Sequence, residues 1–145
     1  MDLKKEGGLQ FFSPDTSGKG VWLAEDGVSA GFPSPADDFK ETRISLDKVA
    51  VKNEASTFYA RVEGQSMTGA GLDDGDLLVI DRSLEPENGK IAVCLIDGDF
   101  TVKRLKVDKD CVWLIAENKK YKPIKVTSEN ELMIWGIVTH VLKEL

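Results

Sequence analysis

From residue 57 onward, glycine and aspartate turns cut the chain into short apolar runs, and this punctuation leaves little room for anything but strands. The runs cover residues 58–62, 77–80, 91–96, 100–105, 111–116, 124–126 and 132–142. Turn signals at roughly 8–12-residue spacing, with almost no helical period, argue an all-β domain. Residues 91–96 are continuously apolar, as in a strand buried on both faces. Asp97-Gly98-Asp99 then reads as a hairpin turn into residues 100–105. Alternation puts Thr101, Lys103 and Leu105 on one face of that strand and Phe100, Val102 and Arg104 on the other. One of the two adjacent cations can therefore be buried while the other meets water. The one helical signal is residues 45–50, with Ser45 as N-cap and Leu46, Val49 and Ala50 expected to face inward.

With 145 residues, 41% of them hydrophobic, the chain is long enough for one packed domain and a tail. Residues 43–145 read as the domain. Residues 1–42 read as a flexible, mostly extended arm: apolar residues such as Phe11, Phe12 and Trp22 are scattered there among Gly7-Gly8, Ser13-Pro14 and Ser17-Gly18. The arm is too short and too broken by glycine for a helix-turn-helix. A net charge of −6 gives no electrostatic footprint for a phosphate backbone, so no direct DNA binding is expected. No run reaches the length of a membrane span and no leader pattern opens the chain, so the expectation is a cytoplasmic protein without membrane contact. Cys94 and Cys111 read as reduced, buried thiols. Asp73, Asp74, Asp76 and Asp81 do not have the alternate spacing of a calcium loop, and turn chemistry accounts for them better. No metal or cofactor is expected. The single histidine, His140, reads as a half-buried strand residue, since no acid is positioned to orient it. The long apolar run 132–142 would aggregate if left at a sheet edge, and pairing with a second copy in a two-fold dimer would cover it.

One serine stands out. Arg61-Val62-Glu63-Gly64-Gln65-Ser66-Met67 breaks a strand at Gly64, and Ser66 follows inside a turn rich in glycine and acid. A serine on a bend between buried strands is held rigidly, which suits a nucleophile provided a base is near. Lys103 can serve if it is uncharged. A free lysine titrates near ~10.4, so neutrality around pH 7 costs about 4 kcal/mol, which burial in an apolar strand can supply. Read as residues alone, Ser66 is more readily a turn residue and Lys103 a solvated edge charge. Met67 reads as a core residue. Upstream, Phe32-Pro33-Ser34-Pro35 favours extended backbone, which suits either a linker or a peptide presented for cleavage. About 12 residues separate Gly31 from the start of the domain, a reach of roughly 40 Å at ~3.3 Å per residue.

Four separated motifs, in order, resemble the LexA/UmuD family of self-cleaving serine–lysine peptidases, and the UmuD-type SOS mutagenesis proteins most. They are Ala30-Gly31-Phe32-Pro33-Ser34-Pro35-Ala36, Glu63-Gly64-Gln65-Ser66-Met67, Gly75-Asp76-Leu77-Leu78 and Gly98-Asp99-Phe100-Thr101-Val102-Lys103-Arg104-Leu105. The resemblance implies a small, strongly bent, β-clip-like sheet domain. It implies Ser66 as nucleophile, Lys103 as general base, self-cleavage between Ala30 and Gly31, an oxyanion site near Ser66, and a peptide groove shaped in part by Met67. It also implies a homodimer, activation by a RecA–single-stranded DNA filament, and service of the trimmed form to a lesion-bypass DNA polymerase. Three other readings stand beside it: a non-cleaving dimeric polymerase-binding module, the peptidase domain of a LexA-like repressor, and a signal-peptidase relative, which would need a membrane anchor.

Overall fold

The computed structural model describes residues 2–6, 9–15, 17–18, 21–24, 41–64 and 67–145. Among these the strands are β1 (Asp2–Glu6), β2 (Leu9–Phe12), β3 (Val21–Ala24), β4 (Glu41–Ile44), β5 (Thr57–Val62), β6 (Leu77–Asp81), β7 (Ile91–Ile96), β8 (Asp99–Val107), β9 (Val112–Ile115), β10 (Ile124–Val126) and β11 (Leu132–Leu142). Nine of them form one sheet in the order β1-β2-β5-β6-β11-β7-β8-β9-β10, and β3 and β4 pair apart from it. Every pairing is antiparallel. The mainly-β class expected from the turn spacing, and the bent sheet implied by the resemblance, are both observed.

The strand most misjudged by its sequence is β11. It lies at the centre of the sheet and not at an edge, so the aggregation argument for a dimer loses its premise. Its two halves are held from opposite sides: Leu132 to Ile137 pair with β7, and Ile137 to Leu142 pair with β6. Bulges interrupt the ladders between Ile134 and Gly136 and between Val138 and His140. Bulges bend a strand and increase its twist, which lets one long strand serve both halves of a curled sheet. Gly136 sits in the first bulge, and a Cβ there would lie 2.5 Å from Ile80 Cγ2 and 3.2 Å from Arg82 Cγ.

Both faces of the sheet carry core. One cluster joins Phe11, Ala60, Met67, Leu72, Leu78, Ile80, Val93 and Val102, with Phe100 and Trp135 against it. The other joins Ala92, Cys94, Leu105, Leu114 and Ile137. Neighbouring residues of β7 and β8 divide between the two clusters, as alternation requires. The β7–β8 turn is a two-residue loop with Asp97 at φ 48° and Gly98 at φ 89°, the mirror-type turn that a right-twisted hairpin prefers.

Four expectations fail locally. Helix α1 (Leu46–Ala50) forms, but Ser45 makes no side-chain cap, and Leu46 and Val49 are exposed at 63% and 43%. One helical turn cannot cover its neighbours; the Tyr59 hydroxyl donates to Asp47 and ties it to the sheet, leaving an apolar cavity of about 360 Å³ between α1, Leu77, Val79, Val141 and Leu142. His140 is exposed, with Nδ1 2.9 Å from the Thr139 hydroxyl oxygen. Cys94 is buried, whereas Cys111 is only partly so; both are free thiols. At the front of the chain, β2 is extended but not loosely packed: Leu9 and Phe11 are 3% and 4% exposed.

Because Ile80 is fully buried, it has no free space into which to retreat from an added methyl group. Gly136→Ala is expected to lower stability by about 1–3 kcal/mol. Urea denaturation should show a lower midpoint at an unchanged slope; an unchanged midpoint would mean that the bulge has room that its geometry does not show.

Candidate active site

The site is built from the turn that follows β5 and from β8. The turn is closed at its base by backbone pairing: Val62 N–H donates to the Asp76 carbonyl and Gly75 N–H to the Val62 carbonyl, each at 2.8 Å. Gly64 has φ 107°, a conformation costly for any residue with a Cβ, and its N–H donates to Asp74 Oδ1 at 2.9 Å. Met67 is 3% exposed and belongs to the core cluster with Leu72, the core role read from its sequence. Its carbonyl accepts the N–H groups of both Ala70 and Leu72 at 3.1 Å. Ser66 itself, and the Ala30–Gly31 bond, lie outside the described residues.

The acidic residues of the turn are structural. Asp76 Oδ2 accepts the Asp73 N–H at 2.8 Å. Lys143 Nζ donates to Asp73 Oδ2 and Asp76 Oδ2, both at 2.5 Å, tying the chain just beyond β11 to the turn. Burial alone would raise the Asp76 carboxyl, but the Lys143 ammonium and the Asp73 N–H outweigh it and hold the group below the usual carboxylate range. Asp81 Oδ1 takes the Ser83 N–H and the Ser56 hydroxyl. Among the described residues no group of three or more potential ligands is poised to hold a metal ion.

On β8 the two adjacent cations part as alternation allows. Arg104 stays half-exposed, its Nε donating to Glu117 and its guanidinium to the Gly89 carbonyl. Lys103 is only 6% exposed, on the face shared with Leu105 and opposite Ala92 in the ladder. Among the described residues no carboxylate or carbonyl accepts a hydrogen bond from its ammonium; the Tyr121 ring lies over it, 5.4 Å from Nζ to the ring centroid. Burial pushes the Lys103 amine down from its ordinary value, with a smaller opposing effect from Cys94. Burial likewise pushes the Cys94 thiol up to about 12, so at neutral pH it is no anion and offers the lysine no charge partner.

The turn and the lysine strand meet at the segment after β9. Gly69 packs so tightly there that a Cβ would fall 1.9 Å from the Glu117 carbonyl oxygen. Glu117 also binds Arg104, and Tyr121, four residues on, covers Lys103. The stretch following Ser66 and the neighbourhood of Lys103 thus share one support. A desolvated amine of this kind gives up its proton more readily and so is more available in the neutral form that a general base requires.

The sequence pattern of the Peptidase S24-like family matches residues 23–139. This chain belongs to that family. It is similar to protein ImpA of Salmonella typhimurium, 40% identical over 121 residues that make up 83% of this chain and 81% of that protein. Protein MucA of Escherichia coli is 41% identical over 81% of this chain and 80% of its own length. The LexA repressor of Oleidesulfovibrio alaskensis is 40% identical over 77% of this chain and 53% of the repressor. The likeness to LexA and UmuD read from four motifs is therefore a family relation, and the class is peptidase.

Within an S24 chain, Ser66, Met67 and Lys103 stand out by motif. Tyr121, Gly69 with Glu117, and Lys143 do not. The one sequence signal for Tyr121 is an aromatic residue in the otherwise polar stretch 118–122; Lys143 carries none. Among the described residues no helix is long and apolar enough to cross a membrane.

A depressed lysine has a definite linkage sign. The unfolded chain, titrating near ~10.4 at this residue, binds the proton more tightly than the folded one, so folding stability rises as pH climbs through the folded value and levels off above ~10.4. Lys103→Met should remove that rise and be more stable at pH 7 by about 1 kcal/mol or more, because a buried charge is replaced by an apolar side chain of similar length. Denaturant titrations between pH 6 and pH 10 would expose an error if the variant were weaker at pH 7 and kept the parent's slope.

Proposed function

We propose that this S24 peptidase cuts its own chain between Ala30 and Gly31, with Ser66 as nucleophile and Lys103 as general base. The observation that carries the reading is the burial of Lys103 beneath Tyr121, with no ionic partner among the described residues. A lysine so placed gives up its proton far more readily than one in water. Its neutral amine takes the Ser66 hydroxyl proton as Oγ bonds to the Ala30 carbonyl carbon. The electron pair moves to the carbonyl oxygen, where backbone N–H groups near Ser66 and Met67 stabilise the oxyanion. Collapse of this intermediate breaks the bond to the Gly31 nitrogen, which takes its proton from the Lys103 ammonium, and water then hydrolyses the acyl ester. The β3–β4 ladder supports this assignment of substrate. It pairs Val21 with Ile44 through Ala24 with Glu41, so the bond to be cut lies in the connection between two paired strands of the same chain. Substrate and nucleophile on one chain replace affinity by effective concentration.

The wider role is part of the same proposal, supported by membership of the S24 family and by the UmuD-type resemblance of the motifs. The chain acts in the cytoplasm in the SOS response. A RecA–single-stranded DNA filament favours docking of the residue 1–42 arm, and the trimmed homodimer serves a lesion-bypass DNA polymerase. The dimer is supported by the apolar surface at the end of β11, where Val141 and Leu142 are 42% and 54% exposed beside Leu46 and Val49.

Self-cleavage should accelerate with pH and reach half its maximal rate below ~10.4, the value of an ordinary lysine. The purified chain held near pH 10 should split slowly, with mass spectrometry finding a new amino end at Gly31. Ser66→Ala and Lys103→Ala should each abolish the split. If either variant still breaks at Gly31, this pair is not the catalytic one.

A further inference from the structure

Strand β5 leads into the serine turn, and its far side is filled by the chain's own beginning. Leu9 pairs with Val62, Gln10 with Arg61, Phe11 with Ala60 and Phe12 with Tyr59. Leu9 and Phe11 enter the core, while Gln10 and Phe12 on the other face stay half-buried. Phe11 fills an aromatic socket: its ring centroid lies 5.1 Å from Phe100 and 4.8 Å from Trp135. Phe58 stacks on the same indole at 5.2 Å. Arg82 closes the socket, its guanidinium carbon 4.5 Å from the Trp135 ring and its Nε donating to the Trp135 carbonyl at 2.9 Å. Every residue of the socket comes from position 58 or later. Strands β5 to β11 pair among themselves without help from β2. Residues 9–12 therefore meet the rest of the sheet as a ligand meets a receptor: a backbone ladder supplies affinity, and two apolar side chains at alternate positions supply selectivity.

We propose that the side of β5 covered by residues 9–12 is a peptide-binding site for an extended segment of a protein partner. The segment would add antiparallel and carry an aliphatic and then an aromatic residue two positions apart, as Leu9 and Phe11 do. The chain's own residues 9–12 keep the site filled while they are covalently joined to it. A tether of this kind holds its ligand at an effective concentration of the order of millimolar. A break within residues 25–40 leaves the strand held to the rest only through non-covalent pairing, the β3–β4 ladder included, and makes it exchangeable. This last step rests on the self-cleavage proposed above; the binding site itself does not.

The test avoids Ser66 so that the two ideas fail separately. A full-length Ser66→Ala chain carries the recognition sequence of a site-specific protease inserted between Asp26 and Gly27. After nicking, the front fragment should co-elute with the rest in gel filtration. A fluorescein-labelled peptide of residues 2–15 should raise its anisotropy on the nicked protein and bind the uncut chain at least a hundredfold more weakly. The same peptide with Phe11→Ser should bind the nicked protein at least tenfold more weakly, since burying a phenylalanine is worth about 1.5–3 kcal/mol and tenfold is about 1.4. As a second measurement that needs no nick, an intact Phe11→Ser chain, whose tethered strand is weakened, should bind the native peptide at least tenfold more tightly than the parent chain does. Separation of the fragment with no peptide binding, or equal binding of the native and Phe11→Ser peptides, would overturn the proposal.

Discussion

The sharing of β11 between two partners is the constraint from which the rest of the architecture follows. Its first half is laddered to β7 and its second half to β6. The β5–β6 pair carries the serine turn, and the β7–β8 hairpin carries Lys103. One strand therefore fixes the spacing and angle between the two parts of the candidate site. The bulge at Gly136 is what lets it turn from one partner to the other, and the Ile80 methyl group that presses on Gly136 belongs to β6. Packing and the geometry of the candidate site are thus set by the same few contacts.

Around that frame, each half of the site is restrained by short-range chemistry. The turn is closed at its base by two backbone bonds, anchored in the core by Met67, and bound to the chain beyond β11 by Lys143 through Asp73 and Asp76. A loop held at so many points has little conformational freedom left to lose. The lysine is restrained differently. It has hydrophobic neighbours and an aromatic ring, and among the described residues no anion, so its environment disfavours charge without offering a competing bond. Arg104, next in sequence, shows the contrast: it points the other way and is paired. One step along a strand separates a solvated cation from a desolvated amine.

Much of the fold was legible. Turn residues gave the seven strands from β5 to β11 closely, because glycine and aspartate fix local backbone whatever the tertiary context. The pairing of Asp97-Gly98 with a mirror-type turn, the two-sided burial of β7 and the core position of Met67 were all readable from local pattern. The failures share a cause. The edge position expected for β11, the inward face of α1 and the loose packing of residues 9–12 are statements about which surfaces meet, and no local pattern contains them. Phe11 looked scattered in sequence because only two side chains of β2, those of Leu9 and Phe11, reach the core.

The sequence by itself determined the class of fold and the peptidase family, and it nominated Ser66 and Lys103 as candidates, since residue type, turn chemistry and motif order are properties of the chain read locally. The tertiary structure alone decided which cation of Lys103-Arg104 is buried, which ring covers it, and that residues 9–12 complete the sheet beside the serine turn. Alternation assigns two side chains to opposite faces but does not say which face is dry. That depends on what packs against each: the Tyr121 ring, from the loop after β9, lies over Lys103, while Phe11 of β2, a strand more than forty residues away from its partner β5, packs on the Phe100 side.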